Sequence, residues 1–328
     1  MRMEPRKIMC AIDFSDFTHM IVSYGKSLAS EFDARLYLCH IIPTLMVSSH
    51  MSSYLDFAGI EKEHTHNART RLEEIAKEFD IRCDILVSVS IGHPADEIEQ
   101  MARQNKVDMV IAATNGGSGV VRFLTGSVTN KLVKILSCPL LVLHAKDDGK
   151  APQMDERIKL NRILVGCDFS PDSRLAFDYA LSLAQEFQAQ LYLAHVVGPM
   201  EPVDLMMPEP VIVHGSHISS WTGTGYMDPG EKPTGEALEK KHLWIKQIET
   251  RLLEMVPEDG RNWCTPVTAV LEGQPYQELI NYAGTIHADM IVLGVRGHSL
   301  LEKFLVGSTT DRVISRASCP VLAVRQTL

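Results

Sequence analysis

The chain has 328 residues, 45% hydrophobic and 22% charged, with 32 Lys and Arg against 41 Asp and Glu for a formal charge of −9. That length and composition suit two soluble globular domains, each able to bury a core. The negative balance argues against non-specific nucleic-acid binding, which needs a basic footprint, and no apolar run reaches the roughly 18–20 residues that cross a bilayer. The opening residues MRMEPRKIMCAIDFS show neither an apolar signal core nor a cleavage site, which points to the cytoplasm. Seven cysteines occur without a CxxC pair. Cys10, Cys39, Cys138, Cys167 and Cys319 lie in or beside apolar runs and read as small buried hydrophobes, with no zinc or disulfide spacing.

In chain order, KIMCAID (7–13) is a short apolar run that predicts a strand. Residues 17–32 have helical spacing at Phe17, Met20, Ile21, Tyr24 and Leu28, with Ser15 or Asp16 as the expected cap. RLYLCHII (35–42) reads as a second strand and residues 61–79 as a charged helix. A strand over 83–92, a helix over 95–106 after His93-Pro94, a strand over 107–114, a helix over 126–137 and a last strand, PLLVLHA (139–145), complete the unit. The strands are continuous apolar runs, which predicts a parallel sheet covered by helices on both faces.

The unit is then written again. KIMCAIDFSDF (7–17) echoes RILVGCDFSPD (162–172), and ARLYLCHII (34–42) echoes AQLYLAHVV (189–197), both at an offset of 155. From Gly92 and Gly273 onward the offset is 181, so the second copy carries 26 additional residues. They fall within a Pro-, Gly- and Met-rich insertion at about 198–235, expected to act as a lid. The expected division is a first domain at 1–145, a linker at 146–160 and a second domain at 161–328.

ATNGGSGVVRFLTGSV (113–128) and GVRGHSLLEKFLVGST (294–309) each join the fourth strand to the fourth helix. Bare main-chain N–H groups and a helix N-terminus there can surround an anion. Ser127 and Thr129, or Ser308 and Thr310, can add hydroxyls. Neither a Walker-type GxxxxGK[ST] nor a GxGxxG after the first strand is present. Asp13 and Asp168 stand at the tips of the first strands, placed either to meet a nucleoside or to shape a turn.

The G-2x-G-9x-G-S pattern at Gly294, Gly297, Gly307 and Ser308, with CDFS after one strand and AHVV ending the next, resembles the universal stress protein family. The resemblance covers both halves, as in a tandem universal stress protein, and implies that the two fifth strands, 139–145 and 320–326, pair within the chain as a pseudo-dimer, which also covers two exposed edges. It implies two doubly wound five-stranded parallel α/β sheets of the adenine-nucleotide alpha-hydrolase-like kind. It also implies adenine-nucleotide binding (ATP, ADP or AMP, with magnesium as an accompanying ion) by Asp168, Val196, Leu293, Gly294, Gly297, Gly307, Ser308 and Thr310. The corresponding first site comprises Asp13, Ile41, Gly116, Gly126, Ser127 and Thr129. Ala113 takes the place of the first loop glycine and Asn115 that of Arg296, which ranks the second site above the first.

Hydrolysis needs a base, a positioned water and usually a metal. His298, His40 and His195, and the pair His214 and His217 near Trp221, make no case for catalysis or for a protein metal site. The expectation is therefore a cytoplasmic nucleotide-binding regulator or sensor with an unidentified protein partner and the option of homodimerisation. A non-binding adaptor and a slow ATPase are the alternatives.

Overall fold

A computed structural model describes residues 4–43, 57–90, 92–114, 126–144, 158–198, 235–258, 260–262, 266–296 and 306–325. The first half runs β1 (Lys7–Ala11), α1 (Thr18–Phe32), β2 (Arg35–Pro43), α2 (Phe57–Glu78), β3 (Cys83–Ser90), α3 (Pro94–Asn105), β4 (Met109–Ala113), α4 (Ser127–Ile135) and β5 (Leu140–Leu143). The second runs β6 (Arg162–Gly166), α5 (Pro171–Phe187), β7 (Gln190–Val197), α6 (Gly235–Glu254), β8 (Pro266–Glu272), α7 (Pro275–Thr285), β9 (Met290–Gly294), α8 (Ser308–Arg316) and β10 (Val321–Val324).

The apolar runs form the strands expected of them. Within each half the sheet is parallel, and the order across the molecule is β3-β2-β1-β4-β5-β10-β9-β6-β7-β8. The outer strands β3 and β8 are half-buried along most of their length, whereas β5 and β10 are buried throughout. One helical layer covers each face, and two apolar clusters, one per face, run through both halves.

The halves join where the sequence predicts. β5 and β10 pair antiparallel, with Val142 opposite Val321 and Leu140 opposite Ala323. Side chains then cross the seam reciprocally. His144 bonds through Nε2 to the carbonyl of Ile314 in α8 at 2.6 Å. Arg325, at the matching position after β10, donates to the carbonyls of Val133 and Lys134 in α4 at 3.1 and 2.7 Å. The end of the expected linker also packs: Ile158 and Leu160 are buried, and the Ile158 N–H donates to Ser27 Oγ in α1 at 3.1 Å. Residues 146–157 of that linker and nearly all of the 198–235 insertion, with its lid role and its histidines, lie outside the described residues. A segment ending at residue 144, expressed alone, is expected to self-associate through its uncovered β5 in sedimentation. A strictly monomeric half at high concentration would contradict that pairing as the source of assembly.

The cap of α1 differs from expectation. Phe17, not Ser15 or Asp16, is the N-cap, without a side-chain bond. Asp13 Oδ1 accepts the Ser15 N–H and Ser15 Oγ accepts the Phe17 N–H, so the polar residues fold the turn before the helix. In α5 the equivalent turn closes earlier: Ser170 caps the Ser173 N–H and Pro171 occupies the first position.

His144 carries a pH consequence. Burial holds its pKa below the ordinary value, against the opposing pull of the Ile314 carbonyl, and its Nδ1 has no partner among the described residues. His40 is lowered too, first by burial. A histidine with a depressed folded pKa takes up more protons when unfolded, so the stability it supports is complete above about pH 6.5 and declines as pH falls towards the folded value. Denaturation midpoints are expected to drop below pH 6.5, and His144→Gln should flatten that slope.

Candidate functional site

In each half the strand order reverses between the first and fourth strands, β1 and β4 or β6 and β9. At such a point the loops beyond the carboxyl ends of the strands diverge and leave a crevice. Both crevices are present, one of about 420 Å³ in the first half and one of about 270 Å³ in the second.

The first cavity brings together Asp13, Ile41, Gly126, Ser127 and Thr129. The second brings together Asp168, Val196, Leu293, Gly294, Gly307, Ser308 and Thr310. Every site residue expected from the sequence that falls in a described segment therefore lines its cavity. Gly116 and Gly297, with Asn115 and His298, lie outside the described residues.

The helices α4 and α8 start at these cavities. Their N-caps, Gly126 and Gly307, provide no side-chain cap. The first N–H groups of a helix have no partner within it, so these two ends present donors and partial positive charge to the cavity. The helix threonines do not add to them. Thr129 Oγ1 donates to the Ala113 carbonyl at 2.6 Å and Thr310 Oγ1 to the Gly294 carbonyl at 2.7 Å. Their hydroxyl protons tie the helix to the strand end, which corrects the reading of both as phosphate donors. Ser127 and Ser308 are exposed at the cavity.

The glycine at 294 also has another reason than the one first read from the sequence. A Cβ there would stand 2.7 Å from the main-chain carbon of Asp172 and from the main-chain nitrogen of Ser173. Gly294 thus admits the first turn of α5. In the first half α1 begins at Thr18, later relative to the repeat, and Ala113 is accommodated.

The nucleoside end is built from the strand tips. Asp168 Oδ1 accepts the Ser170 N–H at 2.9 Å, and Asp13 makes the matching bond at 3.0 Å. The next residues, Phe14 and Phe169, have φ of 60° and 64°, a left-handed conformation uncommon for aromatic residues. Each ring meets one histidine and one arginine. His40 and His195 lie 4.3 and 5.0 Å from them, and Arg71 and Arg251 sit 4.1 and 4.0 Å over the rings. His40 Nδ1 donates to the Ile12 carbonyl at 2.7 Å and His195 Nδ1 to the Cys167 carbonyl at 2.6 Å, which fixes their tautomer and orientation. The sequence reading missed this Arg–Phe–His stack, although "TRL" occurs at 70–72 and again at 250–252.

The cavities differ because their walls differ. Leu293 stands where the first half has Ala112, and its Cδ2 would be 2.5 Å from a Cβ on Gly166. Leucine thus fills space that alanine leaves open. Asp311 lies in the first turn of α8, where α4 has Asn130, and offsets part of the positive field at that helix end. The sequence ranked the second site higher on its glycines, but the volumes run the other way.

Among the described residues no group of three or more His, Cys, Asp or Glu side chains is placed to hold a metal. No helix among the described residues is long and apolar enough to cross a membrane.

The model of the universal stress protein family matches residues 4–144, 159–214 and 209–325. The chain belongs to the universal stress protein family. A universal stress protein of Mycobacterium tuberculosis (strain ATCC 25618 / H37Rv) is 23% identical over 331 residues, covering 98% of this chain and 99% of that one. One from Methanocaldococcus jannaschii is 29% identical over 166 residues, half of this chain and 82% of its own. The crystal structure of a universal stress protein from Archaeoglobus fulgidus DSM 4304 covers 99% of this chain and 97% of its own, with a TM-score of 0.65 and 16% identity, and shares the fold.

Proposed function

We propose that this universal stress protein binds adenine nucleotides and acts as a regulator or sensor, with the first-half cavity as its principal site. The observation that carries the reading is the repeated cavity at the strand-order reversal, where a strand-tip aspartate faces an uncapped helix N-terminus. A carboxylate can accept from a nucleoside and the helix end can take its phosphate. The volume of about 420 Å³ lies within the usual range of small-molecule sites, whereas about 270 Å³ falls just below it.

In this reading Asp13, held by the Phe14 turn, and the main chain near Ile41 receive the nucleoside, while Gly126 and Ser127 meet the first phosphate. In this reading the Arg325 contacts, which connect α4 to the other half, are the route by which occupancy of the cavity is passed on. The two domains divide near residues 145 and 160, and the protein works in the cytoplasm.

Calorimetric titration with adenosine, AMP, ADP and ATP tests the proposal. A saturable site that accepts at least one of them is the expected result. A folded protein that gives no binding heat or thermal stabilisation with any of the four would overturn it and favour an adaptor working through protein contacts alone.

A further inference from the structure

We propose that the outer edge of β3, together with the basic groove over its first half, docks an extended acidic segment of a partner protein. The proposal goes beyond the nucleotide reading and does not depend on it.

β3 (Cys83–Ser90) is a terminal strand of the ten-stranded sheet, and among the described residues no strand pairs with its outer side. The main-chain N–H and C=O groups on that side suit one further strand. Terminal strands are commonly protected from such pairing by lysine, proline or a bulge. The run CDILVSVS holds one charged residue, Asp84, and neither lysine nor proline. The other terminal strand, β8, starts at Pro266, which has no N–H to offer an added strand.

An open groove of about 700 Å³ lies at the amino-terminal half of β3. Four consecutive residues of the strand, 83–86, line it, as do Arg69 of α2 and Lys106 just after α3. Successive side chains of a strand point to opposite faces, and α2 and α3 pack on opposite faces of the sheet, so the groove runs over the strand edge between the two helical layers. Four cations line it, Lys7, Arg35, Arg69 and Lys106, against the one carboxylate of Asp84. On a chain of charge −9 that is a local reversal of sign.

The carboxylate is already matched: Arg35 makes a two-point pair with Asp84 and lies 5.5 Å over the Tyr37 ring. Lys7 Nζ donates to the Asn105 carbonyl at 2.7 Å, which offsets the negative end of α3. Arg69 and Lys106 are exposed and form no ion pair among the described residues, so their charge is available to a ligand. Positive charge spread along a strand edge fits an extended acidic segment, whose main chain pairs with β3 while its carboxylates meet Arg69 and Lys106. The cations are not repeated at the other end of the sheet. By the repeat offsets and the shared TRL, Gln190 stands for Arg35, Glu249 for Arg69 and His287 for Lys106.

The test uses the full chain and a fluorescent peptide that alternates glutamate and valine over about eight residues, the length of β3. Anisotropy is expected to show saturable binding that weakens as salt rises, and a lysine–valine peptide should bind at least tenfold more weakly. Arg69→Gln combined with Lys106→Asn removes both unpaired cations, and asparagine suits the φ of 53° at 106. This variant, its fold checked by circular dichroism, should bind the glutamate peptide about fivefold more weakly or worse at low salt. Two further peptides carry N-methyl groups on alternate residues, one in each phase. An added strand turns only every other N–H towards β3, so one phase should abolish binding and the other retain it. No saturable binding of the glutamate peptide, equal binding of the lysine peptide, an affinity unmoved in the folded variant, or two methylated phases that bind alike would each overturn the proposal. Self-association of the wild type that the variant loses would place a second copy of the chain on the edge and overturn it as well. Adenosine titrated in parallel reads the nucleotide cavities separately, so either proposal can fail alone.

Discussion

Gly294→Ala is expected to destabilise the protein by about 3 kcal/mol, the upper part of the range for forcing an extra carbon into packed backbone. The new Cβ has no flexible side chain to push aside. It would meet the main-chain carbon of Asp172 and the main-chain nitrogen of Ser173, both at 2.7 Å. The first turn of α5 must move, and the Asp172 bonds to Arg296 move with it. The matching change in the other half, Ala113→Gly, should cost about 1 kcal/mol or less, since it only loosens the backbone at a strand end. Urea denaturation of the two variants checks the contrast. Similar, small losses in both would show that the α5 turn does not need the glycine.

Asp13→Ala is expected to lower the affinity for adenosine and AMP by about ten- to a hundredfold, in line with about 1.5–3 kcal/mol for a hydrogen bond to a charged group. Asp13 also holds the Ser15 N–H, so Asp13→Asn, which keeps an acceptor, separates the turn from the charge. Asp168→Ala should have a smaller effect on total nucleotide binding, because the second cavity is the narrower. Calorimetry on the three variants measures both. Equal losses from Asp13→Ala and Asp168→Ala would contradict the assignment of the first cavity as principal.

The fold was legible because its determinants are local and repeated. Short, unbroken apolar runs separated by helical spacing specify buried parallel strands, and the offsets of 155 and 181 state twice where each element belongs. The β5–β10 seam was expected from the family resemblance, and the two fully apolar fifth strands, which a single half leaves uncovered, agree with it. The site was legible at the level of which loops converge. The glycine pattern and the cavity volumes rank the two sites oppositely, because a glycine count takes no account of what the neighbouring side chains occupy. Leu293 lines the second cavity where the first has Ala112, a contrast that lies outside the glycine pattern. The role of Gly294 was likewise hidden, since its close neighbour is a helix start 122 residues earlier in the chain. Cross-seam bonds such as Arg325 to Val133 depend on tertiary placement and leave no periodic trace.

Native mass spectrometry of the full chain, followed by denaturation and identification of any released small molecule, tests the central claim most directly. The account predicts an adenine nucleotide bound at up to one equivalent in the wild type, retained on gentle purification or restored by added AMP or ADP, and lost in Asp13→Ala. A folded wild-type chain that carries no adenine compound and takes up none when AMP, ADP or ATP is supplied would contradict it.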